Sequence, residues 1–178
     1  MFKEEEIKKL KTKLINRTEY SNKIKQYLLE EKIPLKNKFI ISISELSSQM
    51  YGPLLEKVIT KEIKGVSISS RENKGDFKYN DKYYEVKSGL VNNGIITLFQ
   101  VRPYQEIDYY LTVHYNAKED KLYIFLIPHK FIKEYCLTIN SSSHGSGNDR
   151  NSEKQIKINI NNLKEFKEFK IGDLNEIR

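Results

Sequence analysis

Apolar residues recur at helical spacing through the first third of the chain and alternate with polar ones from Val66 onward. From Phe2 to about Ile15, Glu and Lys interleave around a thin stripe of Ile7, Leu10 and Leu14, which predicts a helix with charged faces. A second helix is expected from Glu19 to Glu31, burying Ile24, Tyr27 and Leu28. It should stop at Ile33-Pro34, because the residue before a proline avoids helical backbone angles. Leu35 to Gln49 fits strand and helix equally. Gly52-Pro53 reads as a helix start, followed by one apolar face of Leu54, Leu55, Val58, Ile59 and Ile63.

The pattern changes at Val66–Ser70, where Val and Ile alternate with Ser as in a strand. Next comes Gly75-Asp-Phe-Lys-Tyr-Asn-Asp-Lys-Tyr-Tyr-Glu-Val-Lys-Ser-Gly89, with Asn80-Asp81 suited to a two-residue hairpin turn. A turn that tight sets Tyr79 opposite Lys82, Lys78 opposite Tyr83, Phe77 opposite Tyr84, and Asp76 opposite Glu85. Residues so paired share a face, with Cβ atoms about 4.5–5.5 Å apart. Lys87 points the same way as Glu85, while Tyr84 and Val86 point to the other side, toward a core.

Farther along, Asn92-Asn93-Gly94 predicts a turn before a strand from Ile95 to Phe99. Two strands are expected at Tyr109–Tyr115 and Lys121–Ile127; the second is apolar on both faces and belongs in a sheet centre. A short helix should run from Pro128 to about Cys136, a half-buried strand through Ile156, Ile158 and Ile160, and a final short helix through Leu163, Phe166 and Phe169. Ser141 to Asn151 is a polar loop without the Gly-Lys-Ser/Thr ending of a nucleotide-binding loop, so no nucleotide cofactor is expected. There is no internal repeat.

Composition narrows the partners. A chain of 178 residues suits one domain with a real core, and 12 Tyr with 8 Phe argue against general disorder. A formal net charge of +7 favours a polyanion. No apolar run spans a bilayer and no signal peptide is visible, so no membrane partner is expected. The single cysteine, Cys136, excludes internal disulfides and fits the cytoplasm. His114, His129 and His144 lack zinc-site spacing.

Two carboxylates facing each other in a hairpin repel. A divalent cation would offset that repulsion, and Mg²⁺ is commonly held by one or two carboxylates plus water and phosphate oxygens. Such a metal polarises a phosphoryl oxygen and acidifies a bound water, while a nearby lysine orients that water. The plain alternative is an exposed Glu-x-Lys and a turn-flanking Asp.

Asp76 with Glu85-Val86-Lys87 resembles the Asp…Glu-x-Lys signature of the PD-(D/E)xK nuclease superfamily, over roughly Met50 to Ile160. Gly75 stands where many members carry Pro. The order of elements is similar to that of type II restriction endonucleases. The resemblance implies an α/β fold: a restriction-endonuclease-like three-layer core with a central mixed β-sheet flanked by helices. Residues 1–49 would add a helical N-terminal extension, 50–160 the catalytic core and 161–178 a C-terminal helix and tail. It also implies a Mg²⁺-dependent homodimer that cuts both strands of double-stranded DNA. Asp76, Glu85 and the Val86 carbonyl would hold the metal, and Lys87 would position the water. Glu56, at the border of its helix's apolar face, resembles the family's helix Glu, with Glu62 a rival; a first-turn Glu favouring the helix dipole is the plain reading. Arg71, Lys74 and Lys78 could contact phosphates, or serve only as surface charge. Gln100 and Arg102, in a segment similar to one in restriction-type relatives, could hold phosphates or read bases, or simply open a helix. His144, Asn148 and Arg150 suit nucleic-acid contacts from their loop, although a loop without a role is as ordinary. Two other functions fit: a junction-resolving or repair nuclease of the same fold, and a non-catalytic basic module that binds nucleic acid.

Overall fold

The computed structural model describes residues 4–69, 72–138 and 153–177, with side chains from residue 16 onward. Two compact units result, Met1–Val58 and Ile59–Arg178.

The first unit is helical. In place of two helices, one continuous helix α1 runs Glu4–Glu30. The expected break contains neither Gly nor Pro, and Ser21 Oγ donates back to the Arg17 carbonyl at 2.9 Å, one helical turn away. The ambiguous stretch becomes helix α2, Leu35–Glu45, with Pro34 as its N-cap residue. Helix α3 spans Ser48–Ile63 and so begins before Gly52-Pro53. Its start is set by Ser47, whose carbonyl accepts the Met50 and Tyr51 amides at 2.9 Å each. Pro53 is tolerated inside the helix at the loss of one early backbone bond. Leu28, Leu46, Leu54 and Val58 form the unit's buried cluster, edged by Ile24, Ile41 and Met50.

The second unit is α/β, with a mixed central sheet flanked by helices. The sheet's strands are β1 (Val66–Ser67), β2 (Phe77–Tyr79), β3 (Lys82–Leu90), β5 (Tyr109–Asn116), β6 (Lys121–Pro128) and β8 (Lys170–Ile171), in that spatial order. Among the described residues only the β3–β5 pairing is parallel. β4 (Ile95–Val101) and β7 (Lys154–Asn159) form a separate two-stranded sheet, and helix α4 covers His129–Thr138. β1 is shorter than expected, although Ile68 N–H still reaches the Asp76 carbonyl at 2.9 Å. β5 is the sheet's buried axis, every residue after Tyr109 being buried. β6 lies one place from the edge, shielded there only by two-residue β8, which local pattern did not announce. The expected last helix is a 3₁₀ segment, Lys164–Phe169, that leads directly into β8.

The β2–β3 hairpin has three of the four pairs anticipated: Tyr79 with Lys82, Lys78 with Tyr83 and Phe77 with Tyr84. Asp76 does not pair with Glu85, because its amide goes to the Tyr84 carbonyl instead. Asn80 and Asp81 take φ of 46° and 58°, the left-handed pair a type I′ turn requires. Phe77 stacks on Tyr84 with centroids 4.7 Å apart, and Tyr84 on Tyr109 at 5.6 Å. This ladder of register partners ties three strands on one face. On the other face Tyr110, Phe125 and Ile127 join Ile96, Leu98, Ile156 and Ile158 of the small sheet and Ile132 of α4 in the main core. Among the described residues no helix is long and apolar enough to cross a membrane.

Two glycines separate helix propensity from packing. A Cβ on Gly52 would meet only open space, so Gly52→Ala should stabilise by roughly 0.5–1 kcal/mol through helix propensity. At Gly65 a Cβ would sit 2.4 Å from the buried Phe77 ring, and Gly65→Ala should cost about 1–3 kcal/mol. Urea unfolding of both variants measures the two signs.

Candidate active site

The pairing of β2 with β3 stops at Phe77, so β3 has an open edge beyond Tyr84. Gly75 turns the chain there with φ +79°, and a Cβ on it would come within 2.5 Å of the Tyr84 carbonyl oxygen. Proline, fixed near −65°, cannot adopt this geometry, which accounts for Gly before Asp76. The Asp76 amide donates to the Tyr84 carbonyl at 2.7 Å. Its carboxylate then reaches along the open edge and accepts the Val86 amide at 2.7 Å through Oδ2. The N–H and C=O of one strand residue leave on the same side, so the Val86 carbonyl faces this edge too.

Glu85 and Lys87 project together from β3, with Lys87 Nζ 2.7 Å from Glu85 Oε1. Their side chains are 9% and 17% exposed, so water screens this pair little. The other Glu85 oxygen accepts Gln105 Nε2 at 3.1 Å. Gln105 Oε1 lies 3.2 Å from the Tyr110 hydroxyl, which also lies 3.0 Å from the Arg102 carbonyl and accepts the Arg102 amide at 3.1 Å. Tyr110 is the register partner of Glu85 in the parallel pair.

The loop carrying these groups is braced on several sides. Asp108 accepts the Tyr83 amide at 2.9 Å and Lys82 Nζ at 3.2 Å. Glu106 N–H donates to the Asn73 carbonyl at 2.9 Å, and the His129 ring nitrogen Nε2 lies 3.0 Å from the Pro103 carbonyl. Arg102 Nε donates at 2.9 Å to Oε1 of buried Glu153, whose Oε2 has no hydrogen-bond partner among the described residues. The contact is therefore single-pronged, through Nε alone.

The charges respond to one another. Burial first, and then the Glu85 charge, push the Asp76 carboxyl up to about 6, against the pull of the Val86 N–H, Lys87 and Arg102. Burial opposes the Arg102 charge, but the hydrogen bond and charge of Glu153 outweigh it and hold the guanidinium above its ordinary value. Burial also pushes His114 down to about 3, so this ring is neutral.

The structure thus brings Asp76, Glu85, Val86 and Lys87 together and places Arg102 within their electrostatic reach. Lys74 lies over the Tyr83 ring, 5.5 Å from its centroid, and Lys78 shares that ring while pairing with Asp81 at 2.8 Å. Gln100 is exposed at a β-bulge between Leu98 and Val101, with φ +51°, so the expected helix start is a distorted strand end instead. The bulge turns Phe99 out as well. Glu56 and Glu62 are half-buried in α3, Glu56 within the first unit. Arg71, His144, Asn148 and Arg150 lie outside the described residues. Sequence reasoning missed Gln105, Tyr110 and Glu153. Nothing local marks them, since a parallel register and a contact between residues 102 and 153 bring them in.

Two carboxylates and a carbonyl on one strand edge, with mutual repulsion stored between the carboxylates, are a donor set suited to a hard cation. Among the described residues no group of three or more His, Cys, Asp or Glu could hold a metal. A scan against protein-family models finds no matching family, and a search of curated proteins finds no match.

Asp76 also makes stability depend on pH. It binds its proton at about 6 when folded and near 3.8 when unfolded, so ionisation costs stability as pH rises through that window. Asp76→Asn, which keeps an oxygen for Val86, should stabilise the metal-free protein at pH 7.5 by roughly 1–2 kcal/mol. The gain should fade as pH falls toward 4, and urea unfolding in a chelator across that range measures it.

Proposed function

We propose that this protein is a Mg²⁺-dependent endonuclease that hydrolyses phosphodiester bonds of double-stranded DNA, of the type II restriction kind and built on a restriction-endonuclease-like core. The observation that carries this reading is the meeting of Asp76, Glu85 and Lys87 at the open edge of β3. Their order and spacing resemble the nuclease signature, and the strand sequence of hairpin, parallel β5 and antiparallel β6 is compatible with that core. The net charge of +7 suits a DNA partner.

Asp76, Glu85 and the Val86 carbonyl would hold the ion. Bound Mg²⁺ supplies Lewis acidity to a phosphoryl oxygen and lowers the pKa of water. Val86 N–H fixes the Asp76 carboxylate, so little reorganisation is needed to present it. The Lys87 ammonium, 2.7 Å from Glu85, can hold the attacking water and balance negative charge growing on the phosphate. Arg102, held at Nε by Glu153, has its terminal amino groups for a phosphate oxygen. Cutting both strands of a palindromic site would take two copies of the chain.

Lys87→Ala should lower cleavage by at least about 100-fold while DNA binding in Mg²⁺ survives. Mg²⁺ should raise the melting temperature of the wild type and not that of Asp76→Asn. The deciding experiment incubates the protein with a long unmethylated duplex and Mg²⁺. Discrete bands support a restriction enzyme, and cuts confined to branched or damaged sites support a resolving or repair nuclease. Intact DNA, bound with an affinity that only falls with salt, would leave a non-catalytic binding module.

A further inference from the structure

We infer that Gln105 is a positioning residue that holds the metal-binding carboxylate of Glu85 in one orientation, with the Tyr110 hydroxyl setting which end of the amide faces it. This rests on the nuclease reading above. An ionised carboxylate offers about four lone-pair directions over two oxygens. Glu85 has one N–H donor on each oxygen, Lys87 on Oε1 and Gln105 on Oε2. Both oxygens are pinned, and each keeps a lone pair for an ion. Lys87 sits at the end of a flexible stem, whereas Gln105 is buried at 6% exposure, so the amide is the stiffer restraint.

An amide can flip, which would turn an oxygen toward Glu85 and repel it. Here the hydroxyl of Tyr110 lies 3.2 Å from Gln105 Oε1. That hydroxyl accepts the Arg102 amide, and its one proton is shared between the Arg102 carbonyl and Gln105 Oε1. Burial keeps the phenol neutral and able to donate. An ionised Glu85 carboxylate only accepts and so takes the Nε2 end of the amide. The single Tyr110 proton, within reach of both the Arg102 carbonyl and Gln105 Oε1, favours that same orientation when it goes to Oε1. A cation that demands near-ideal octahedral geometry gains most from such a restraint, and Mg²⁺ does so far more than Ca²⁺. Residues behind a metal ligand typically contribute about 10–100-fold in affinity.

The test is calorimetric titration of the full chain with Mg²⁺ and, separately, Ca²⁺, for wild type, Gln105→Met and Tyr110→Phe. Gln105→Met keeps the volume and removes both polar ends; circular dichroism and thermal unfolding check the fold. Mg²⁺ affinity should fall about 10–100-fold in Gln105→Met and about 3–10-fold in Tyr110→Phe, with Ca²⁺ affinity changed by less than about threefold. Should Gln105→Met not fold, Tyr110→Phe decides by the same selectivity. A folded variant that binds Mg²⁺ like the wild type overturns the inference, as does an equal loss for both ions, which marks a merely structural amide. Wild type that binds no Mg²⁺ fails earlier and takes down the nuclease reading itself.

Discussion

One hydrogen bond organises the site: Val86 N–H to Asp76 Oδ2, 2.7 Å. β3 outruns its partner β2, and a strand edge left bare beside a buried core would leave the Val86 amide without an acceptor. Asp76 supplies that acceptor. A backbone requirement of the sheet thereby fixes the carboxylate's place, with or without an ion. The same register directs Phe77 and Tyr84 to the opposite face, where they stack with Tyr109. A one-residue slip would exchange the two faces, setting the Glu85 carboxylate among the Phe77–Tyr84–Tyr109 rings and breaking that stack, so packing on both faces enforces the site's geometry.

The arrangement is costly by construction. Burial and the neighbouring Glu85 both disfavour an ionised Asp76, and the opposing charges of Lys87 and Arg102 only partly offset this. Groups held in an unfavourable protonation state at a partly buried cluster are where binding energy can be released. The ion pair of Glu85 and Lys87 is a poor source of net stability at such burial, since desolvation cancels most of the attraction. Its value lies in keeping an ammonium beside a carboxylate.

Parallel pairing of β3 with β5 obliges the chain to cross over between them, which takes about a dozen residues or more. The crossover, residues 91–108, uses that length for β4 and for the loop that carries Arg102 and Gln105 back to β3. The bulge in β4 lets Leu98 and Val101 both face inward despite their odd spacing, and it sets the path into Arg102. Asp108 closes the loop on the Tyr83 amide. The connection that topology demands thus also delivers side chains to the site.

The hairpin, its register as far as Phe77 and the shared face of Glu85 and Lys87 were legible from residues, because a two-residue turn and strand alternation are local rules; the displacement of Asp76 from the place opposite Glu85 was not. So were β5, β6, β7 and α4, whose apolar patterns match their lengths. Helix boundaries were less so: α1 runs through an expected break that contains no breaker, and Pro53 sits inside α3 because Ser47 starts that helix earlier. Two-residue β8 has no pattern of its own and exists only because β6 offers it an edge. The hold of Gln105 on Glu85, the seat of Tyr110 and the pairing of Arg102 with Glu153 were decided by tertiary structure alone. Local sequence sets which way a side chain points from its strand; which distant group meets it depends on a parallel register and a crossover path that no short-range rule specifies.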